Sequence, residues 1–286
     1  MEVHPTSHAD RTADQARRDN SIEETTAASS ANLTSLCRLS TVLAVTAISL
    51  WANYEASKGF DITVLEAPGA TLAARHYNLM FVSNGGAARA ILNASASIEQ
   101  TLYPDTKHFP YKPINSVTLR VSDHNLTRAV IVTTAAGGGG DYVILVSPNV
   151  IAERNAEKTV VAAVYQGMAR VWVRDGRGMA PSAVVDAVVG YICGAAGFGS
   201  EADYANEAAE GCEATAGFVR YCEERRPGFV ARLNKAMEEK WDDGIWDSAL
   251  GTSGRVVCTG FRARLGWVPE RVVNSTETMV ELLQLD

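Results

Sequence analysis

Between Lys158 and Cys193 the chain reads KTVVAAVYQGMARVWVRDGRGMAPSAVVDAVVGYIC, two apolar segments of helical length divided by a glycine-rich break. Val161, Val164 or Tyr165, Met168 and Val171 or Trp172 recur at the i, i+3/i+4, i+7 spacing of one buried helical face. Asp175-Gly176-Arg177-Gly178 predicts the stop of that helix. Ala180-Pro181-Ser182 predicts the restart, because a proline's missing N–H costs nothing in the first turn of a helix. The rest of the chain is read around this pair.

Four parts of the pair carry a resemblance: Arg170-Val171-Trp172, Asp175-Gly176-Arg177-Gly178 with Ala180-Pro181, Val184-Val185-Asp186, and Tyr191. They resemble the active-site region of the plant basic secretory protein family, which is classed with the zincin-like metallopeptidases. In that family the first helix carries His-Glu-x-x-His directly before Val-Trp. The resemblance lays this motif on Gln166-Gly167-Met168-Ala169-Arg170. It also lays the glutamate of the family's Glu-Gly-Ile-Ala-Asp segment on Asp186, and that segment's second acid on Gly190. Two later blocks are similar to the family as well, Gly211 to Cys222 and Phe229-Val230-Ala231-Arg232-Leu233-Asn234-Lys235, so the likeness extends over most of residues 60 to 266. It implies an α+β, zincin-like fold, with an N-terminal mixed sheet and helices followed by a helical C-terminal half that contains a degenerate active-site helix.

Two histidines four residues apart can reach one zinc ion from a single helical face, while the glutamate between them takes a proton from the metal-bound water. Gln166 and Arg170 keep the spacing without the chemistry. An amide is a poor zinc ligand, a guanidinium has no lone pair to give, and Gly167 has no side chain to act as base. The five histidines are His4, His8, His76, His108 and His124, so none follows position 124. No catalytic, cofactor-binding or metal-binding residue is therefore expected at these positions, and no cofactor, although the family implies zinc. One reading has the Arg170 guanidinium standing where the zinc charge would be, paired with a buried Asp186; the other leaves Gln166 and Arg170 facing solvent.

Residues 1–35 are polar and rich in Ser, Thr and Ala, and are read as a disordered tail that cannot offset its own ordering entropy. Within 36–57 the run Leu39 to Ala52 is strongly apolar, and three readings stay open: a signal-anchor, an internal secretory signal, or a buried helix. A single-pass anchor or secretion is expected over a cytosolic location. Residues 58–266 form the family-like domain and 267–286 a C-terminal tail. The net charge of −7 argues against nucleic acid or an anionic membrane as the main partner.

In the first half, Asp61 to Leu65, Asn78 to Val82, Ser116 to Val121, Arg128 to Thr134 and Tyr142 to Val146 are candidate strands, and Ala87 to Tyr103 a helix. Gly137 to Gly140 reads as a hairpin loop, since no Lys-Ser or Lys-Thr follows it as a phosphate loop requires. In the second half, Thr215, Phe218, Val219 and Cys222 form one helical stripe, and Val230, Leu233 and Met237 the next. Gly254 and Gly260 leave a helix over 252–262 in doubt. Cys193, Cys212, Cys222 and Cys258 allow up to two disulfides, with connectivity unreadable from sequence. Asn32, Asn93, Asn125 and Asn274 begin glycosylation sequons, of which Asn93 falls in a predicted helix.

The expected function is a non-catalytic descendant of a peptidase that keeps a cleft for a peptide, protein or glycan, with a defence-related role implied by the resemblance. The alternative is a hydrolase using other residues, such as Asp186 or Glu153 with a water.

Overall fold

Alternation decides the sheet. In Ser116–Val121 every second residue, Val117, Leu119 and Val121, is buried, while Arg120 faces water, the pattern of a strand with one face on a core. The computed structural model describes residues 38–49, 59–135, 139–199, 212 and 215–265. The chain divides into two units, Met1–Lys58 and Gly59–Asp286.

In the first unit, residues 38–49 form a helix (α1) whose every residue is exposed, Leu43 and Ile48 at 61% and 64%. Among the described residues no helix is long and apolar enough to cross a membrane, so the anchor reading of 36–57 finds no support. The tail over 1–35, residues 36, 37 and 50–57, and the C-terminal 267–286 lie outside the described residues.

In the second unit the order is β1 (Asp61–Val64), α2 (Leu72–Tyr77), a π-helix (Asn78–Ser83), α3 (Gly86–Leu102), β2 (Ser116–Val121), β3 (Val130–Thr134) and β4 (Asp141–Val146). Then come α4 (Pro148–Ala152), α5 (Ala156–Trp172), α6 (Ser182–Ala195), α7 (Ala216–Arg225), α8 (Phe229–Ala236), α9 (Ile245–Leu250) and α10 (Gly254–Arg264). The four strands form one mixed sheet in the order β1-β2-β4-β3. β1, β2 and β4 run parallel, and β3 pairs antiparallel with β4 and, among the described residues, with no other strand, which leaves it an open edge there. Helix α3 lies along α5, and α5 rests on β3 and β4. This is an α+β fold with the expected division into a sheet-bearing half and a helical half.

The predicted central pair is present as α5 and α6. Burial runs nearly round α5, from Val160 through Val164, Met168 and Val171 to Trp172, while Val161 is only half-buried. Pro181 sits one residue earlier than expected, as the cap of α6, and its carbonyl accepts from the N–H of Val184 and Val185.

Two readings are corrected. Asn78 to Val82 is a π-helix that continues α2, not a strand. The Asn78 amide fastens it to the preceding loop, Oδ1 accepting from the Ala67 N–H at 2.7 Å, and the run of four apolar residues that follows, Leu79 to Val82, does not distinguish strand from helix. Residues 254–264 do form a helix. Gly254 donates its N–H to Asp247 Oδ1 at 2.6 Å, and a Cβ at Gly260 would stand 2.9 Å from the Tyr221 hydroxyl. The glycine there makes room for a neighbour instead of loosening the helix.

Cys212 and Cys258 form a disulfide, and Cys193 and Cys222 are buried outside it. Asn93 is exposed on α3, and Asn125 is exposed in the β2–β3 connection.

Candidate functional site

The elbow after α5 is built from the end of the helix outward. The last carbonyls of a helix lack intrahelical partners, and here side chains from other segments satisfy three of them in succession. Lys112 Nζ donates to Val171 O at 2.7 Å and to Val173 O at 2.9 Å, and the Tyr103 hydroxyl donates to Trp172 O at 2.9 Å. The Trp172 indole is anchored in turn by its N–H to Ser95 Oγ at 2.9 Å.

The next residue, Arg174, is buried. Its N–H donates to Asn234 Oδ1 at 2.8 Å, its Nη2 donates to Pro110 O at 2.8 Å, and its Nη1 stands 2.6 Å from Glu238 Oε2. Gly176, Arg177 and Gly178 then turn in the left-handed region, at φ 61°, 60° and 81°. Gly176 is required twice: its N–H donates to Met237 O, and a Cβ there would meet the backbone of Lys240 and Trp241 at 3.0 Å. Arg177 is the only non-glycine residue with positive φ among the described residues.

Between this elbow and the open edge of β3 lies a cleft of about 920 Å³. Val132, Thr133, Thr134 and Tyr142 form one wall, and Arg170, Arg174, Asp175 and Arg177 the other, with Lys112 between. Burial holds the Lys112 ammonium down to about 8 from its ordinary 10.5, with the Asp175 charge opposing and the Arg174 charge adding. Between those two pH values the unfolded chain keeps a proton that the folded chain has released, so stability rises with pH from about 8 toward 10.5. Wild type should therefore gain in melting temperature relative to Lys112→Met as pH goes from about 7 to about 9.5, a comparison that scanning calorimetry reads directly.

The residues singled out by sequence separate. Arg170 Nη2 donates to Asp186 Oδ1, and Arg128 Nη1 donates to Asp186 Oδ2 at 2.9 Å. Asp186 is thus held between two guanidinium groups. The Arg170 and Asp186 side chains are 19% and 30% exposed, which corrects the expectation of a buried pair. At such exposure the pair contributes about 1 kcal/mol or less. Gln166, one turn earlier on α5, is half-buried and lines no part of the cleft. Glu153 caps α4 at the surface and lines a separate pocket with Lys158, Thr159 and Phe198.

Gly167 is the most informative position. It faces β4, and a Cβ there would lie 2.6 Å from Ile144 Cγ2 and 3.1 Å from Ile144 Cδ1. The space a longer residue would occupy is filled by Ile144, which is fully buried. Gly190 repeats the arrangement on α6, where a Cβ would stand 3.1 Å from that of Ala216.

These residues do not compose a zinc donor set. Among the described residues no three of His, Cys, Asp and Glu stand together as a metal would require, and His76, His108 and His124 lie on three separate segments. His108 is tied to Asp105 at 2.5 Å at the surface. Cys193, near Arg170, is no ready nucleophile: burial pushes its thiol up to about 12, against which the Arg170 charge pulls only in part.

Lys112, Arg128, Arg174 and Asn234 escaped the sequence reading as site residues. Only Asn234 carried a signal, its place in the second block similar to the family.

A family model described as BSP, peptidase of plants and bacteria, matches residues 57–261. No curated protein and no solved structure matches the chain.

Proposed function

The chain belongs to the BSP family, the peptidases of plants and bacteria, and from that membership we propose that it is a zincin-like peptide binder that has given up zinc and proteolysis. The observation that carries the reading is Ile144 packed against Gly167. The resemblance lays the family's catalytic glutamate on Gly167, and a carboxylate has no room there. Gln166 and Arg170 add an amide and a permanent cation where imidazoles would be needed. Asp186, on which the resemblance lays a further acid, is engaged by Arg170 and Arg128.

The cleft supports binding. One of its walls is β3, whose outer edge is unpaired among the described residues, and an open edge offers backbone N–H and C=O groups to an extended chain. That favours a peptide over a glycan as occupant. The net charge of −7 favours a protein partner over nucleic acid. The disulfide between Cys212 and Cys258 is in keeping with an oxidising, secretory compartment.

The test combines metal analysis of the purified full chain, after incubation with zinc and dialysis, with a general fluorescent protease assay. The expected result is no stoichiometric zinc and no chelator-sensitive cleavage. One zinc per chain, or hydrolysis abolished by a chelator, overturns the reading.

A further inference from the structure

We propose, resting on the peptide-binding reading above, that the cleft is selective for acidic peptides, with Asp or Glu at alternate positions of an extended segment. The chain as a whole carries −7, yet among the described residues the cleft is lined by four cations, Lys112, Arg170, Arg174 and Arg177, against two anions, Asp175 and Glu238, a surplus of two positive charges. The local partners leave the same surplus. Glu238 answers Arg174. Asp186 is shared by Arg170 and Arg128, so that trio keeps one positive charge. Asp175 and Lys112 both line the cleft, and the charge of the one acts on the other. Arg177 has no ion-pair partner among the described residues and is exposed at the rim.

The backbone at Arg177 sharpens the point. Glycine flanks it on both sides, and φ of 60° is a conformation glycine adopts more cheaply than arginine. Fold alone would be served by glycine at 177, so the guanidinium is held at the mouth of the cleft against the local backbone preference. Strain of this kind gathers at ligand-binding positions.

An extended peptide on β3 projects every second side chain to the same side, about 7 Å apart. Arg170 and Arg177 stand on the wall opposite β3, so acids at positions i and i+2 meet the unbalanced charge. A surplus of one sign in a walled cleft favours counter-charged ligands and weakens as salt rises.

The experiment uses the full chain and four fluorescent probes. Three are peptides of equal length and identical β-forming residues, carrying Glu, Gln or Lys at alternate positions; the fourth is an oligogalacturonate. Anisotropy titrations at low salt should show the Glu peptide binding at least about tenfold tighter than the Gln peptide, with most of that advantage gone near 0.5 M salt. Arg177→Glu should erase the advantage of the Glu peptide over the Gln peptide and, with it, the salt dependence of that difference. Arg177→Gly, which suits the left-handed backbone, should melt no lower than wild type and still lose most of the preference.

Equal affinity for all three peptides, or a preference indifferent to Arg177, overturns the charge selectivity and leaves peptide binding standing. Oligogalacturonate bound as tightly as the Glu peptide also overturns it, since the charge would then be read on a sugar. Binding of none of the peptides overturns both the peptide reading and this inference.

Discussion

Gly167→Glu should lower the stability of the chain by at least about 4 kcal/mol, a melting temperature drop on the order of 10 °C for a domain of this size. Two effects add. The new Cβ would lie 2.6 Å from Ile144 Cγ2, and neither side can give way, because Ile144 is a buried, β-branched residue on the central strand β4 while Gly167 sits mid-helix with buried neighbours. Beyond the clash, a carboxylate would be buried without a cation aimed at it. Gly167→Ala isolates the steric part: about 1 to 3 kcal/mol of overpacking, against roughly 1 kcal/mol gained in helix propensity. Ile144→Ala should cost about 2 to 5 kcal/mol alone, and less in combination with Gly167→Ala, because the added methyl enters the vacated space. Urea titrations of the four proteins measure the cycle. Strict additivity, or a Gly167→Glu variant melting with wild type, would mean that α5 and β4 are not in contact at this point.

The same position shows how far the residues spoke for themselves. Helices α5 and α6 are legible because their apolar spacing and their Gly and Pro punctuation are local signals, and β2 and β4 because they are runs rich in Val and Ile. That position 167 holds no acid is plain from the residue; that Ile144 fills the place is not, because it depends on how a helix settles on a strand more than twenty residues earlier. Asp186 was found through its place in the family-like segment, but the arginine that completes its clamp, Arg128, lies just before the edge strand and bears no spacing relation to it. The π-helix at Asn78–Ser83 is not legible in the residues for a similar reason. Its four apolar residues, Leu79 to Val82, satisfy a strand as well as a helix, and the bonds that tie it down, between Asn78 and Ala67, reach outside the run. The cysteines allowed up to two bridges, and the pairing of Cys212 with Cys258 across 46 residues is set by how α10 docks, which no count reveals.

Arg174→Ala should cost about 3 kcal/mol and weaken any ligand of the cleft by an order of magnitude or more. Arg174 is the peg that fixes the elbow: its side chain is 6% exposed and reaches Pro110 O and Glu238 on two different segments, while its own N–H is held by Asn234. Removing it leaves the Pro110 carbonyl without its donor and opens a void beneath Tyr103, over whose ring the guanidinium lies at 5.9 Å. Glu238, at 44% exposed, can turn to water, so the loss comes from packing and the carbonyl bond more than from an orphaned charge. Arg174→Lys should recover little, because one ammonium cannot span the acceptors that a forked guanidinium reaches together. Asn234→Ala should cost about 1 to 3 kcal/mol by leaving the Arg174 N–H buried and unpaired. Residue 174 carries both sets of bonds, so the double variant should lose less than the sum. Melting curves give the stabilities, and hydrogen exchange at Gly176 reports the elbow itself, since its N–H to Met237 O bond should lose protection in each variant. Protection unchanged at Gly176 in Arg174→Ala would show that the left-handed turn holds its own shape, and the cleft would then owe its form to glycine and not to the buried arginine.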